Sequence, residues 1–135
     1  MTSIKKYQEY LNRRINPNAK FEDLLSFPRF IEIETINACN ARCPMCTIQD
    51  WERRDTKMDD ILFKKIAKEI IENSNEVSRV TLYRDGEPLM DKKIADKIYT
   101  LKRGGIKETS ISTNLGLLNE KKSKELLEAG LDVII

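Results

Sequence analysis

The chain contains no histidine and only three cysteines, and both shortages narrow the metal chemistry open to it. A structural zinc site takes four protein ligands, usually all cysteine or cysteine with histidine. Zinc here would have to recruit a carboxylate or a residue from a partner. An excess of either charge is also missing. Twenty-four basic side chains against 22 acidic ones leave a formal charge of +2, which gives no reason to expect a nucleic-acid patch or a membrane-surface helix. Apolar runs are only a few residues long, so nothing spans a bilayer. The first residues, MTSIKKYQEYLNRR, lack the apolar core of a secretory signal, and the expectation is a cytoplasmic protein. There is no low-complexity linker. What remains is a globular composition, 40% apolar and 34% charged over 135 residues, enough for one domain with one core.

The order of elements reads as a repeated strand–helix rhythm. Residues 4–15 place apolar side chains at helical spacing, and 1–29 reads as an N-terminal helix with a lead-in loop. Residues 30–36 alternate apolar and polar side chains as a strand does. Then follow a helix over 59–72 with a stripe of Ile61, Leu62, Ile66 and Ile70, a strand over 77–83, and a helix over 91–103 closed by Gly104 and Gly105. A strand over 108–113, a helix over 119–129 with a solvated Lys/Glu face, and a strand from Leu131 onward complete the pattern. Such alternation predicts βα units, with helices packed outside a parallel sheet. The fold class is α/β, a partial (βα) barrel of about three and a half units over 30–135. A closed eight-unit barrel needs roughly 200 residues or more. The expectation is therefore a part of a larger enzyme, a truncated product, or a half-barrel completed by further strands or a partner chain.

The three cysteines fall within eight consecutive positions, Cys39-Asn40-Ala41-Arg42-Cys43-Pro44-Met45-Cys46, on the loop leaving the first strand. An odd number of clustered thiols suggests a metal site rather than a disulfide framework. Three core cysteines would leave unexplained why a polar loop carries them. Thiolates suit zinc or iron–sulfur clusters. Three thiolates can hold three irons of a cubane and leave the fourth iron open for a substrate or cofactor, whereas a ferredoxin-like carrier supplies a fourth cysteine. A zinc site or an electron-transfer cluster without catalysis stays open as the alternative. A second candidate stretch ends the next strand, Tyr83-Arg84-Asp85-Gly86-Glu87-Pro88-Leu89. Gly86 permits close backbone approach, and Glu87 can meet an ammonium in a charge-assisted hydrogen bond.

The stretch Ile33 to Cys46, with its C-N-x-x-C-x-x-C pattern, resembles the signature of the radical S-adenosylmethionine (SAM) superfamily. That resemblance implies a 4Fe–4S cluster on Cys39, Cys43 and Cys46, with SAM chelating the open iron through its amino and carboxylate groups. It implies reductive cleavage of SAM to a 5′-deoxyadenosyl radical that abstracts hydrogen from a substrate. Met45, the residue before the third cysteine, would lie against the adenine. Asp85-Gly86-Glu87-Pro88-Leu89 resembles the family's Gly-Gly-Glu-Pro-Leu motif, which holds the SAM amino group. Asp85 stands where the first glycine usually does, and it could add a second acceptor. Ser112-Thr113-Asn114 resembles the family's Thr-Asn-Gly segment, with Leu115 in place of glycine, and so assigns Thr113 and Asn114 to the SAM pocket. The cysteine context is similar to the branch that often modifies peptides or sugars, so the implied substrate is a peptide, a sugar or another small molecule. An electron donor such as flavodoxin or ferredoxin is implied with it. Arg84, pointing from a strand end toward the site, is a candidate for a catalytic role, and Trp51, Arg53 and Arg54, following the cysteine loop, are candidates for covering it.

Overall fold

A computed structural model describes residues 27–52 and 57–135. The expected helix over 4–15, most of the lead-in segment, Arg53 and Arg54 lie outside the described residues. Four strands, β1 (Phe30–Glu32), β2 (Arg79–Thr81), β3 (Glu108–Ile111) and β4 (Val133–Ile134), form one parallel sheet in the order β1-β2-β3-β4. Between them run α1 (Asp60–Glu72), α2 (Ile94–Arg103) and α3 (Glu120–Glu128). This is the expected partial barrel.

Local chemistry explains the boundaries. Asp59 caps α1, accepting from the backbone N–H groups of Ile61 and Leu62, and Asn119 caps α3 through the N–H of Lys122. α2 and α3 are followed by Gly105 (φ +90°) and Gly130 (φ +87°), in a backbone region that suits glycine. The register aligns Ile31, Val80 and Thr109 in one row, and Glu32, Thr81, Ser110 and Val133 in the next. Adjacent rows face opposite sides of the sheet. One side carries Ile33, Val80, Leu82 and Ile111, all buried with Phe63, Ala67, Ile70, Ile98, Leu101 and Leu126 of the helices. The other side is polar. Thr81 and Ser110 share a hydroxyl–hydroxyl bond of 2.8 Å, Arg79 pairs with Glu108 at 2.6 Å, and Arg84 pairs with Glu32 at 3.0 Å.

Two details differ from the sequence expectation. The buried stripe of α1 is Phe63, Ala67 and Ile70, while Ile61 and Leu62 of its first turn are exposed. Positions 63, 67 and 70 lie on one helix face, and 61 lies off it. The strands are also shorter than the apolar patterns. After Ile33, whose N–H bonds the Thr81 carbonyl at 2.8 Å, the chain leaves the sheet to meet its own return. The Met58 N–H bonds the Thr35 carbonyl at 2.9 Å, and Ile36 and Lys57 form an antiparallel bridge. The cysteine loop is therefore closed at its base.

β4 is tied to β3 by Asp132. Its carboxylate accepts from the Thr109 N–H at 2.7 Å, the Thr109 hydroxyl at 3.1 Å and the Lys102 ammonium at 2.8 Å. Burial pushes the Asp132 carboxyl up, but the bonds from Lys102 and Thr109 outweigh it and hold the group below the usual carboxylate range. A pKa lower in the folded chain than in the unfolded one stabilises above the unfolded value, about 3.9 for aspartate. That contribution fades as pH falls through the folded value. Asp132→Asn is expected to cost about 1–2 kcal/mol at neutral pH, allowing for partial exposure. Urea unfolding at pH 7 and at successively lower pH checks this, and the gap to the wild type should narrow as pH falls below about 4.

Candidate functional site

The C-terminal ends of β1, β2 and β3 are stitched together by one short segment. Gly86 lies so close to the cysteine loop that a Cβ there would sit 2.0 Å from the Ile36 carbonyl oxygen and 3.1 Å from that of Ala38. The next N–H, of Glu87, bonds the Ala38 carbonyl at 2.8 Å. The glycine is therefore demanded by neighbouring backbone, a closer partner than any ligand need be.

Glu87 is buried, only 2% exposed. One carboxylate oxygen accepts from the Leu89 N–H at 2.9 Å and the Thr113 hydroxyl at 2.6 Å. The other accepts from the Asn114 N–H at 2.9 Å. The carboxylate thus caps the 3-10 turn Pro88–Met90 and holds the loop after β3. Below it, Asp91 and Lys97 form a buried pair at 2.6 Å, with the Lys97 ammonium 5.2 Å from the Phe63 ring centre. The Lys122 ammonium of α3 donates to the Leu89 carbonyl at 2.6 Å. Every side of this segment is fixed.

The thiols lie on the loop that this segment holds. Cys39 and Cys46 are half-buried, and Cys43 is exposed. A turn from the Cys46 N–H to the Cys43 carbonyl, 3.0 Å, sets the spacing of the last two. The Cys39 sulfur accepts from the Ala41 N–H at 3.4 Å and from the Asn114 side-chain amide at 3.7 Å. Among the described residues, no three His, Cys, Asp or Glu side chains converge on a point that a single ion would occupy. A four-iron cluster holds its thiolates further apart than one ion does, so it does not require such convergence.

Of the residues singled out from sequence, Cys39, Gly86, Glu87, Thr113 and Asn114 are joined by contacts. Met45 is 85% exposed. Asp85 is exposed beside Arg84, at 3.7 Å, and its N–H faces Glu34 at 3.4 Å. Arg84 itself is engaged with Glu32. Sequence reasoning gave no role to Asn40, which accepts from the Asn114 amide at 3.0 Å, nor to Asn37 and Thr35. Both amide atoms of Asn37 and the Thr35 hydroxyl are buried without a hydrogen-bond partner. Asn37, two residues before Cys39, could have been noticed as a polar residue at an otherwise apolar strand exit.

A sequence model of the radical SAM superfamily matches residues 33–135. The chain belongs to the radical SAM superfamily. It is 34% identical over 106 residues to the tungsten-containing aldehyde ferredoxin oxidoreductase cofactor-modifying protein of Pyrococcus furiosus, a match covering 78% of this chain and 29% of that protein. It is 32% identical over 108 residues to the GTP 3',8-cyclase of Limosilactobacillus fermentum, covering 76% of this chain and 31% of the cyclase. The chain thus spans less than a third of the length of these relatives. Among solved structures, BtrN in complex with AdoMet and 2-DOIA superposes with a TM-score of 0.73 at 25% identity, covering 82% of this chain and 46% of BtrN. The cofactors of the superfamily are a 4Fe–4S cluster and SAM. The residues present fit that pair: three soft thiols on one loop, N–H donors at one sulfur, and a buried amide whose unmet hydrogen bonds suit a polar ligand. No helix among the described residues is long and apolar enough to cross a membrane.

Proposed function

We propose that residues 30–135 form the cofactor-holding part of a radical SAM enzyme, with Cys39, Cys43 and Cys46 as ligands of a 4Fe–4S cluster and SAM bound beside it. The observation that carries this reading is the stitch from the cysteine loop through Gly86 to Glu87, which ties a buried carboxylate to the loop that carries the three thiols. When bound, the cluster and SAM together supply one-electron cleavage of SAM and hydrogen abstraction from substrate.

The chain's own residues hold and orient. A carboxylate offers about four acceptor positions, and three on Glu87 are filled by Leu89, Thr113 and Asn114. The remaining position is the one we assign to the SAM ammonium. Thr113 acts as a strut on Glu87. Met45, exposed on the loop, is free to lie against the adenine, and Asp85 is a more distant acceptor at the rim. Residues 1–29 are the lead-in to this core, and the described end of that lead-in is tied to it by the Phe27 N–H on Glu76 at 3.0 Å. Further strands or a partner chain complete the barrel, a flavodoxin or ferredoxin supplies the electron, and the setting is the cytoplasm. The substrate is a peptide, a sugar or another small molecule; the named relatives act in different chemistries and select none of these.

Anaerobic reconstitution of the chain with iron and sulfide tests the ligand set. The expected product is brown, with 4Fe–4S stoichiometry, and loses its colour in each of Cys39→Ser, Cys43→Ser and Cys46→Ser. A colourless protein that takes up zinc instead would replace this reading with a non-catalytic metal module.

A further inference from the structure

Asn114 does more than border the site. Its side-chain oxygen accepts the Gly116 N–H at 2.8 Å, which fixes which end of the amide is which. The nitrogen end therefore faces Cys39 Sγ at 3.7 Å and Asn40 Oδ1 at 3.0 Å. The backbone N–H of Asn114 is held by Glu87 at 2.9 Å. A Cβ on Gly116 would lie 2.9 Å from Asn114 Oδ1 and 3.2 Å from Asn40 Nδ2, so the turn packs directly on this amide pair. Between them Leu115 adopts φ +61°, a region that side chains larger than glycine seldom enter. Its N–H bonds the Thr113 hydroxyl at 3.1 Å. Backbone strain of this kind persists where the surroundings fix it, often at functional sites. With the Ala41 N–H at 3.4 Å, Cys39 Sγ receives two N–H groups. Among the described residues, the sulfurs of Cys43 and Cys46 receive none.

From this asymmetry we infer that Asn114 is a positioning residue that presents its amide N–H to the Cys39 thiolate and thereby raises the reduction potential of the cluster. The inference rests on the cluster assignment above. Reduction adds negative charge to the cluster and its thiolates. An N–H directed at a sulfur stabilises that charge, so hydrogen bonds to the sulfurs are among the determinants of cluster potential. The sequence motif placed Asn114 in the SAM pocket, whereas its contacts here are to a cysteine sulfur, Asn40, Glu87 and Gly116.

The test uses the full chain, reconstituted anaerobically, with the midpoint potential read by a redox titration followed by electron paramagnetic resonance. Asn114→Asp keeps an acceptor for the Gly116 N–H but turns an oxygen toward the sulfur. Asn114→Leu keeps the approximate shape and has no polar atom. Both are expected to titrate at lower potential than the wild type, the aspartate lower than the leucine. The reduction equilibrium should shift by up to about tenfold, ~59 mV for a one-electron couple. Unchanged midpoints in both loaded variants would overturn the inference, leaving the amide a purely structural contact. Loss of the cluster from both variants while the wild type retains it would overturn it too, because the amide would then hold the loop rather than tune it. A wild-type chain that takes up no iron–sulfur cluster would instead remove the assignment on which the inference stands.

Discussion

Gly86→Ala is expected to destabilise the chain by about 3 kcal/mol or more and to abolish cluster retention. Overpacking a well-packed site typically costs 1–3 kcal/mol. The added carbon here would meet a backbone oxygen at 2.0 Å, not the end of a flexible side chain. Relief requires Ile36 and Ala38 to move, and they lead directly into Cys39. It also breaks the bond from the Glu87 N–H to the Ala38 carbonyl. In a domain whose whole stability is about 5–15 kcal/mol, such a loss should lower the melting temperature by roughly 10 °C. Thermal unfolding of the apo chain reads the first effect, and iron content after reconstitution reads the second. Asp85→Gly, one residue earlier and exposed, should leave both nearly unchanged.

Glu87 gives the second large effect, and two substitutions separate its duties. Glu87→Ala strands three donors, from Leu89, Thr113 and Asn114, in a buried space. Each buried unpaired group costs about 1–3 kcal/mol. The three share one network and do not add fully, so about 4 kcal/mol is expected. Glu87→Gln keeps one oxygen for Leu89 and Thr113, but presents an N–H₂ group to the Asn114 N–H. Its stability cost should be nearer 2 kcal/mol. If the carboxylate also receives the SAM ammonium, the glutamine variant should bind SAM at least tenfold more weakly while still folding and holding iron. Calorimetric titration of the reconstituted variant with SAM distinguishes the two duties. Unchanged affinity would confine Glu87 to holding the loops.

Much of this was legible because the decisive residues are close in sequence. The cysteine spacing and the Gly86-Glu87 pair are local patterns, and strand–helix alternation fixes where they fall on a parallel sheet. Contacts across the sheet were not legible. That Thr113 and Asn114 reach Glu87 depends on the register of β2 against β3, which pairs Thr81 with Ser110. No local pattern states that pairing. Arg84 was expected to point toward the site, yet the polar face of the sheet offered it Glu32. The Lys/Glu face of α3 is solvated as expected, with exposed pairs such as Lys121–Glu125 at 3.9 Å, of little energetic consequence. Lys122 on the same helix instead reaches the Leu89 carbonyl. Composition alone does not separate these two lysines. Leu115 shows the converse. Its departure from the family's glycine was visible in sequence, but the positive φ it bears, and the amide that this turn aims at Cys39, emerge only in three dimensions.

The central claim is an iron–sulfur cluster held by three cysteines with one iron open to SAM. The most direct measurement is the electron paramagnetic resonance spectrum of the reduced, reconstituted chain, recorded with and without SAM. A ligand arriving at the open iron must alter the spectrum, and a clear change in its shape on adding SAM is the predicted result. A reduced cluster whose spectrum is identical in both samples would contradict the account.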